Sequence, residues 1–164
     1  MTFRPATSED LPALLELYAD ARAYMANCGN PNQWGSSHPP VSRLELDIQD
    51  GVGYVAIEQE TLAAAFALLP SPDPTYSFIE GSWPNERPYG VIHRMACRLR
   101  GRGIASACLD WCKKRYDTLR IDTHQDNRPM QRLVSANGFS CCGVIYLENG
   151  DPRLAYQWDR EAER

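Results

Sequence analysis

No run in the 164-residue sequence approaches the roughly 18 consecutive apolar residues of a membrane-spanning helix, so no membrane partner is expected. The opening Met-Thr-Phe-Arg-Pro lacks the apolar core of a secretory signal, which makes the cytoplasm the expected compartment. No C-x-x-C pair occurs either. The six cysteines, Cys28, Cys97, Cys108, Cys112, Cys141 and Cys142, therefore read as small core residues of a reducing compartment, not as a disulfide framework or a zinc site. No metal is expected. Positive charge is not in excess: 17 Lys and Arg stand against 21 Asp and Glu, for a net charge of -4, which argues against a dedicated nucleic-acid binder. Internal repeats and low-complexity tracts are absent. What remains is an ordinary composition, 43% hydrophobic and 23% charged, long enough to bury one core. Residues 1–164 are taken as one domain.

The most informative stretch is Arg98-Leu-Arg-Gly-Arg-Gly-Ile-Ala105. An apolar run from Val91 to Cys97 leads into it. A pattern of Ile104, Ala107, Cys108, Trp111 and Cys112 follows at the spacing of one helical face. The order is strand, glycine-arginine turn, helix. A helix start offers unpaired N–H groups and the positive end of the helix dipole. Gly101 and Gly103 permit a sharp turn and close backbone approach. Arg98, Arg100 and Arg102 add bidentate phosphate donors, so the turn reads as a phosphate or pyrophosphate socket. The alternative is a tight turn with solvated arginines. A P-loop is excluded because no Lys-Ser or Lys-Thr follows Gly103, and a three-glycine dinucleotide fingerprint because Ser106 occupies the third position. Further basic residues gather nearby, from Arg94 to Arg120, and a local positive patch on an acidic chain suits a small anionic ligand better than a long polyanion.

Along the rest of the chain, Phe3-Arg-Pro5 reads as a first strand. Thr7 or Ser8 caps a helix with an apolar stripe from Leu11 to Met25, which stops at the breakers Asn27 to Pro31. A loop through Trp34 and Pro39-Pro40 follows. Ser42-x-x-Glu45 reads as a capping box opening a second helix. Residues 53–57 and 62–69 read as a hairpin around Glu58-Gln-Glu60. A short strand is expected over Tyr76–Glu80 and a loop from Gly81 to Pro88 containing Trp83. Beyond the 104–116 helix come a strand at Leu119–Thr123 and a helix capped by Asp126 or Asn127. That helix stops at Asn137-Gly138, before strands at Phe139–Leu147 and Arg153–Trp158 around a tight turn. The fold class is α/β in the α+β layered sense, a mixed and mostly antiparallel sheet flanked by helices.

This element order, the R-x-x-G-x-G-I-A run from Arg98 to Ala105, and Asn127 spaced from Gly138-Phe139 together resemble the GNAT superfamily of N-acetyltransferases, in a bacterial subgroup. The phrases Arg120–Gln131 and Tyr146–Tyr156 also resemble that subgroup. The resemblance implies acetyl-CoA as co-substrate, no metal, and direct attack of a primary amine on the thioester in a ternary complex. It implies a cofactor site made by the edge of Met95, Ala96 and Cys97 and by Arg98, Arg100, Gly101, Arg102, Gly103, Ile104 and Ala105, with Asn127 close by. Two departures stand out. The link from Cys97 to Gly101 is about two residues shorter than usual. The family's tyrosine acid, four residues before the Gly of Gly-Phe, is replaced by Val134.

The base must come from elsewhere. His93, just before the cofactor edge, and Glu80 are the candidates, with His124 behind them. Tyr146 is the replacement acid. Packing or solvation is the competing reading for each. Cys97 reads as core and not as an acyl carrier, because no activating partner marks it. Loops near Trp34 and Trp83 are expected to face the acceptor, a small-molecule or peptide amine; for Trp34 the alternative is cover for the core edge. A homodimer is left open. A non-catalytic acyl-CoA-binding module of the same fold is the alternative function. An RNA-binding module using Arg-Gly-Arg-Gly is disfavoured by acidity and by the lack of interleaved aromatics.

Overall fold

In a computed structural model, residues 1–163 are described. Among them the strands are β1 Thr2–Pro5, β2 Gly53–Glu58, β3 Thr61–Pro70, β4 Glu80–Gly81, β5 Gly90–Cys97, β6 Thr118–Thr123, β7 Ser140–Tyr146 and β8 Pro152–Asp159. The helices are α1 Leu11–Asn27, α2 Val41–Gln49, α3 Ile104–Lys113 and α4 Arg128–Ala136. The strands form one eight-stranded sheet in the order β1-β2-β3-β5-β6-β8-β7-β4. Every adjacent pair is antiparallel except β5 with β6. The mixed, mostly antiparallel sheet flanked by helices expected from the sequence is the one observed.

Side chains alternate across the strands, and each face has its own core. On one face Ile104, Cys108, Leu109 and Cys112 of α3 and Val134 of α4 pack on Ile92, Leu119, Ile121 and Tyr156. Trp111 extends this layer by packing against Phe3, Tyr54 and Phe66, with ring centroids 4.8–5.6 Å away. On the other face Leu14, Leu17, Tyr18 and Ala21 of α1 and Leu44 of α2 cover Val55, Ala65 and Ala96. Farther along that second face, Tyr76 and Tyr89 of the β3–β5 connection cover Val91, Ile145 and Ala155.

Three local expectations are corrected. The segment expected as a strand over 76–80 begins in a 3-10 turn, Pro74–Tyr76, capped by Asp73, whose Oδ1 accepts from the Thr75 N–H at 2.9 Å. Proline at its first position fixes the turn, and only Glu80–Gly81 extends. The capping box at Ser42 is not formed. Pro40 is the cap residue of α2 and Ser42 lies inside the helix, because extended Pro40 sets the helix start two residues earlier. The first helix is preceded by a 3-10 turn, Ser8–Asp10. There the reciprocal box is made by Thr7 and Asp10, and Asp10 also takes a bidentate bond from Arg4 at 2.7 and 2.8 Å.

Candidate active site

β5 and β6 are hydrogen-bonded only at Gly90↔Leu119, Val91↔Arg120 and Ile92↔Ile121. Past those pairs the two strands part. Two features of β5 drive the divergence. Its register against β3 slips between Ala65 and Ala67, so that Arg94 and Met95 stand opposite Phe66. Arg94 itself adopts φ +54, in the left-handed region that non-glycine residues avoid. That conformation is held from both ends. The Tyr18 hydroxyl donates to the Arg94 carbonyl at 2.6 Å, and the guanidinium makes a bidentate pair with buried Asp47 at 2.8 and 2.9 Å.

The gap opens a cavity of about 910 Å³, within the range of small-molecule and cofactor sites. Its walls include Ile92, Ile104, Ile121, Met130 and Leu133 from the α3–α4 face. They also include Trp34, His38, Asp73, Thr75, His93, Asp122 and Arg153 from the α1–α2 face. The cavity therefore passes through the sheet where β5 and β6 diverge, and a ligand on one face can meet a ligand on the other.

On the α3 side, Gly101 and Gly103 both have φ +74, and a Cβ at either would meet nothing within 4 Å. The turn is thus bare main chain bordering the cavity. Gly103 begins α3 and offers no side chain to cap the first N–H groups of the helix. Arg100 lies in this wall with its guanidinium 3.8 Å from the Tyr24 ring centroid. The β5 edge contributes Met95, Ala96 and Cys97. Cys97 packs against the core cluster that contains Cys108.

On the opposite side His93 is 24% exposed, and its Nε2 lies 2.8 Å from Asp73 Oδ2. Asp73 also accepts from the Thr75 N–H and hydroxyl at 2.9 and 2.7 Å. Burial would raise the Asp73 carboxyl, but the bonds from His93 and Thr75 outweigh it and hold its pKa down at about 2. Asp73 is therefore ionised at neutral pH, and His93 Nε2 is the donor. In the neutral ring Nδ1 then carries the lone pair. It lies 3.9 Å from Asp122 Oδ1, which accepts from the Tyr76 hydroxyl at 2.6 Å. Burial, with the Asp122 charge behind it, keeps Tyr76 protonated. Sequence reasoning passed over Asp73, Tyr76 and Asp122; the Asp-Pro-Thr order at 73–75, an Asx-turn signature, was the available signal for Asp73.

A second network fixes the loop between α1 and α2. Gln33 Oε1 accepts from Asn30 Nδ2 and Asn127 Nδ2, both at 2.9 Å, while Asn127 Oδ1 caps α4 through the Met130 N–H at 3.2 Å. Trp34 is thereby held in the cavity wall, edge-on to Tyr18 at 5.7 Å.

The structure brings His93, Met95, Ala96, Cys97, Arg100, Gly101, Gly103, Ile104, Ala105, Asn127 and Trp34 to one cavity wall. Other expected residues lie elsewhere. Arg98 and Arg102 flank the turn outside that wall and face Glu16 at 3.4 Å and Glu58 at 3.9 Å. Glu80 and Tyr146 meet each other, hydroxyl to carboxylate at 2.8 Å, on an exposed surface away from the cavity. The antiparallel β4–β7 pair sets them side by side. Trp83 is a packing residue: its Nε1 donates to the Tyr76 carbonyl at 3.0 Å, and its ring lies 3.9 Å from the Arg120 guanidinium. His124 accepts from the Asp126 N–H at 3.0 Å. Val134 is fully buried, and α4 turns Met130 and Leu133 to the cavity. Among the described residues no cluster of three His, Cys, Asp or Glu is placed to hold a metal ion, and no helix is long and apolar enough to cross a membrane.

Residues 1–140 match the family model described as an acetyltransferase (GNAT) domain. An acetyltransferase of the GNAT family from Streptococcus agalactiae is 31% identical, with a TM-score of 0.89 over 96% of this chain and 94% of that one. The chain belongs to the GNAT acetyltransferase family. More distant structures share the fold. An acetyltransferase of the same family from Listeria monocytogenes is 19% identical, with a TM-score of 0.71 over 96% of this chain and 94% of that one. A phosphinothricin acetyltransferase from Sinorhizobium meliloti, solved in complex with AcCoA, is 16% identical, with a TM-score of 0.66 over 96% of this chain and 87% of that one. No match is found among curated proteins.

Proposed function

We propose that the protein is an acetyl-CoA-dependent N-acetyltransferase that acts on a primary amine by direct attack in a ternary complex. One observation carries the reading: the parting of β5 and β6 leads from a bare glycine turn at a helix start to a histidine held by an ionised aspartate, within one cavity. Acetyl-CoA supplies an activated acetyl group when bound. The residues present fit it. The open main chain from Arg100 to Ala105 and the Arg100 guanidinium would hold its diphosphate. The β5 edge at Met95–Cys97 suits an amide-rich arm laid along it as an added strand.

The remaining steps belong to the acceptor side. An amine is protonated at neutral pH and must lose a proton before it can attack. His93 Nδ1 takes that proton, while Asp73 fixes the ring and stabilises the imidazolium that forms. The nitrogen then bonds to the acetyl carbon as the carbon–sulfur bond breaks, and N–H groups of the β5 edge stabilise the charge developing on the carbonyl oxygen. The nitrogen's second proton reaches the departing thiolate through solvent, and His93 returns its own to water. The products are an N-acetyl amine, the free thiol and one proton. A thiolate with a pKa near about 8.5 is a competent leaving group, which accounts for an arrangement with Val134 at the usual tyrosine position and Tyr146 turned away.

Calorimetry with acetyl-CoA, followed by thiol release in the presence of an amine panel, tests the reading. Binding heat together with amine-dependent thiol release is the expected result. Binding without turnover on any amine would favour a non-catalytic acyl-CoA-binding module, and no binding at all would refute both.

A further inference from the structure

Two guanidinium groups stand in the acceptor side of the cavity wall, in opposite states. Arg94 is closed in its bidentate pair with Asp47, which Arg43 also reaches at 3.1 Å. Arg153 is only 5% exposed, yet among the described residues no carboxylate lies within 4 Å of it. Its bonds go to main-chain carbonyls, from Nη1 to Pro152 at 2.9 Å and from Nη2 to Gln33 at 3.4 Å. Neither neutralises its charge. Asp122 and Asp151 favour its charge only from beyond that 4 Å range, and a guanidinium presents five donors in a fork that matches a carboxylate.

The position of Arg153 separates it from the acyl-carrier side. It stands in β8 opposite Ile145, one residue before the Leu154↔Thr123 pair at the end of β6. Alternation along β8 puts it on the face of Ala155, the face of His93 and Asp122 and not that of α3. An anion held at the Gly101–Gly103 turn lies across the sheet from it. The same wall carries Asp73 and Asp122 beside His93, which would draw an ammonium toward it. The acceptor side therefore holds carboxylates beside the base and, at Arg153, a guanidinium with no carboxylate within 4 Å among the described residues.

The geometry points to Arg153 as a carboxylate subsite, so that the acceptor is an amine that carries its own carboxylate, of amino-acid type. This inference rests on the acetyltransferase reading and specifies its substrate class. The carboxylate docks on the Arg153 fork and orients the amine at the other end toward His93 Nδ1. It supplies the close, forked partner that Arg153 lacks among the described residues, where Asp122 and Asp151 act on it only from beyond 4 Å.

Thiol release from acetyl-CoA by the full-length protein tests it. The acceptors are the twenty common L-amino acids, each beside its α-carboxamide, with γ-aminobutyrate beside butylamine and with peptide amides that begin in Asp or Glu. The best acceptors are expected to carry a carboxylate, and its conversion to an amide should lower kcat/KM at least tenfold, mainly through KM. Preference for free amino acids assigns the group to an α-carboxylate; preference for the acidic peptide amides assigns it to a side chain. Arg153→Gln should erase the discrimination and Arg153→Lys should keep part of it, while acetyl-CoA affinity stays unchanged in both. Should Arg153→Gln not fold, the wild-type acid–amide comparison and Arg153→Lys still decide. Equal use of amides and acids, turnover on no carboxylate-bearing amine, or unchanged discrimination in a folded Arg153→Gln would each overturn the subsite, with acetyl-CoA binding leaving the acetyltransferase reading intact. Failure of the wild type to bind acetyl-CoA would overturn both.

Discussion

Replacing Asp73 by Asn tests both the chemistry and the electrostatics of the site with a change of one charge and almost no volume. In the native chain the ionised carboxylate accepts the hydrogen bond of His93 Nε2 at 2.8 Å, which leaves Nδ1 as the base in the proposed reaction. An amide there can still accept from Thr75 through its oxygen, but it then presents an N–H to His93. The imidazole must accept at Nε2 and carry its proton on Nδ1, the nitrogen that has to receive one. General-base assistance is worth about 10²- to 10⁴-fold, so kcat/KM should fall by at least about 10²-fold while acetyl-CoA affinity is retained. Stability changes too. The Asp73 pKa lies at about 2, against an ordinary 3.8. A folded-state pKa below the unfolded one stabilises the fold above the unfolded value and loses that contribution as pH falls through the folded one. The gap corresponds to about 2 kcal/mol at neutral pH, or roughly 4–8 °C in Tm for a domain of this size. Urea unfolding of wild type and variant should differ by about 2 kcal/mol at pH 7, with the difference shrinking between about pH 4 and pH 2. A variant that keeps wild-type turnover and pH profile, or a stability gap that does not narrow in acid, would refute the reasoning.

Two further substitutions probe other walls of the cavity. Gly103→Val meets no steric obstacle but forces a β-branched residue to φ +74; about 1–2 kcal/mol of stability should be lost and acetyl-CoA affinity should fall more than tenfold by calorimetry, with unchanged affinity moving the diphosphate grip elsewhere. Asn127→Ala removes both the α4 cap and the tie to Gln33; the cap alone is worth about 1 kcal/mol, and the amine KM should rise more than the acetyl-CoA KM, since the loop bearing Trp34 is released. Equal effects on the two KM values would show that the tie does not serve the acceptor side.

Local chemistry made much of this protein legible in advance. The glycine-arginine turn could be read because backbone freedom at Gly101 and Gly103, a helix start and an apolar strand are all properties of neighbouring residues. The same holds for the Asn127 cap and for most element positions. Local rules failed where a proline outweighed them. Ser42 had the spacing of a capping box, yet Pro40 had already set the helix start, and Pro74 closed a 3-10 turn where Tyr76–Glu80 read as extended.

Non-local relations were of another kind. His93 was visible as a strand histidine, but the carboxylate that holds its ring arrives from 20 residues away in a proline-rich loop. Tyr146 and Glu80 looked suited to catalysis as residue types; strand pairing across 66 positions joins them to each other instead. The splitting of β5 from β6 depends on Arg94 holding a left-handed conformation that its own residue type disfavours, through Tyr18 and Asp47 from two different helices. Sequence alone thus determined the elements, their order and the glycine-arginine turn, because each follows from propensities and patterns within a few residues. Only the tertiary structure decided which side chains face the gap and which charges there meet a close partner, because burial and pairing are properties of residues brought together from distant parts of the chain.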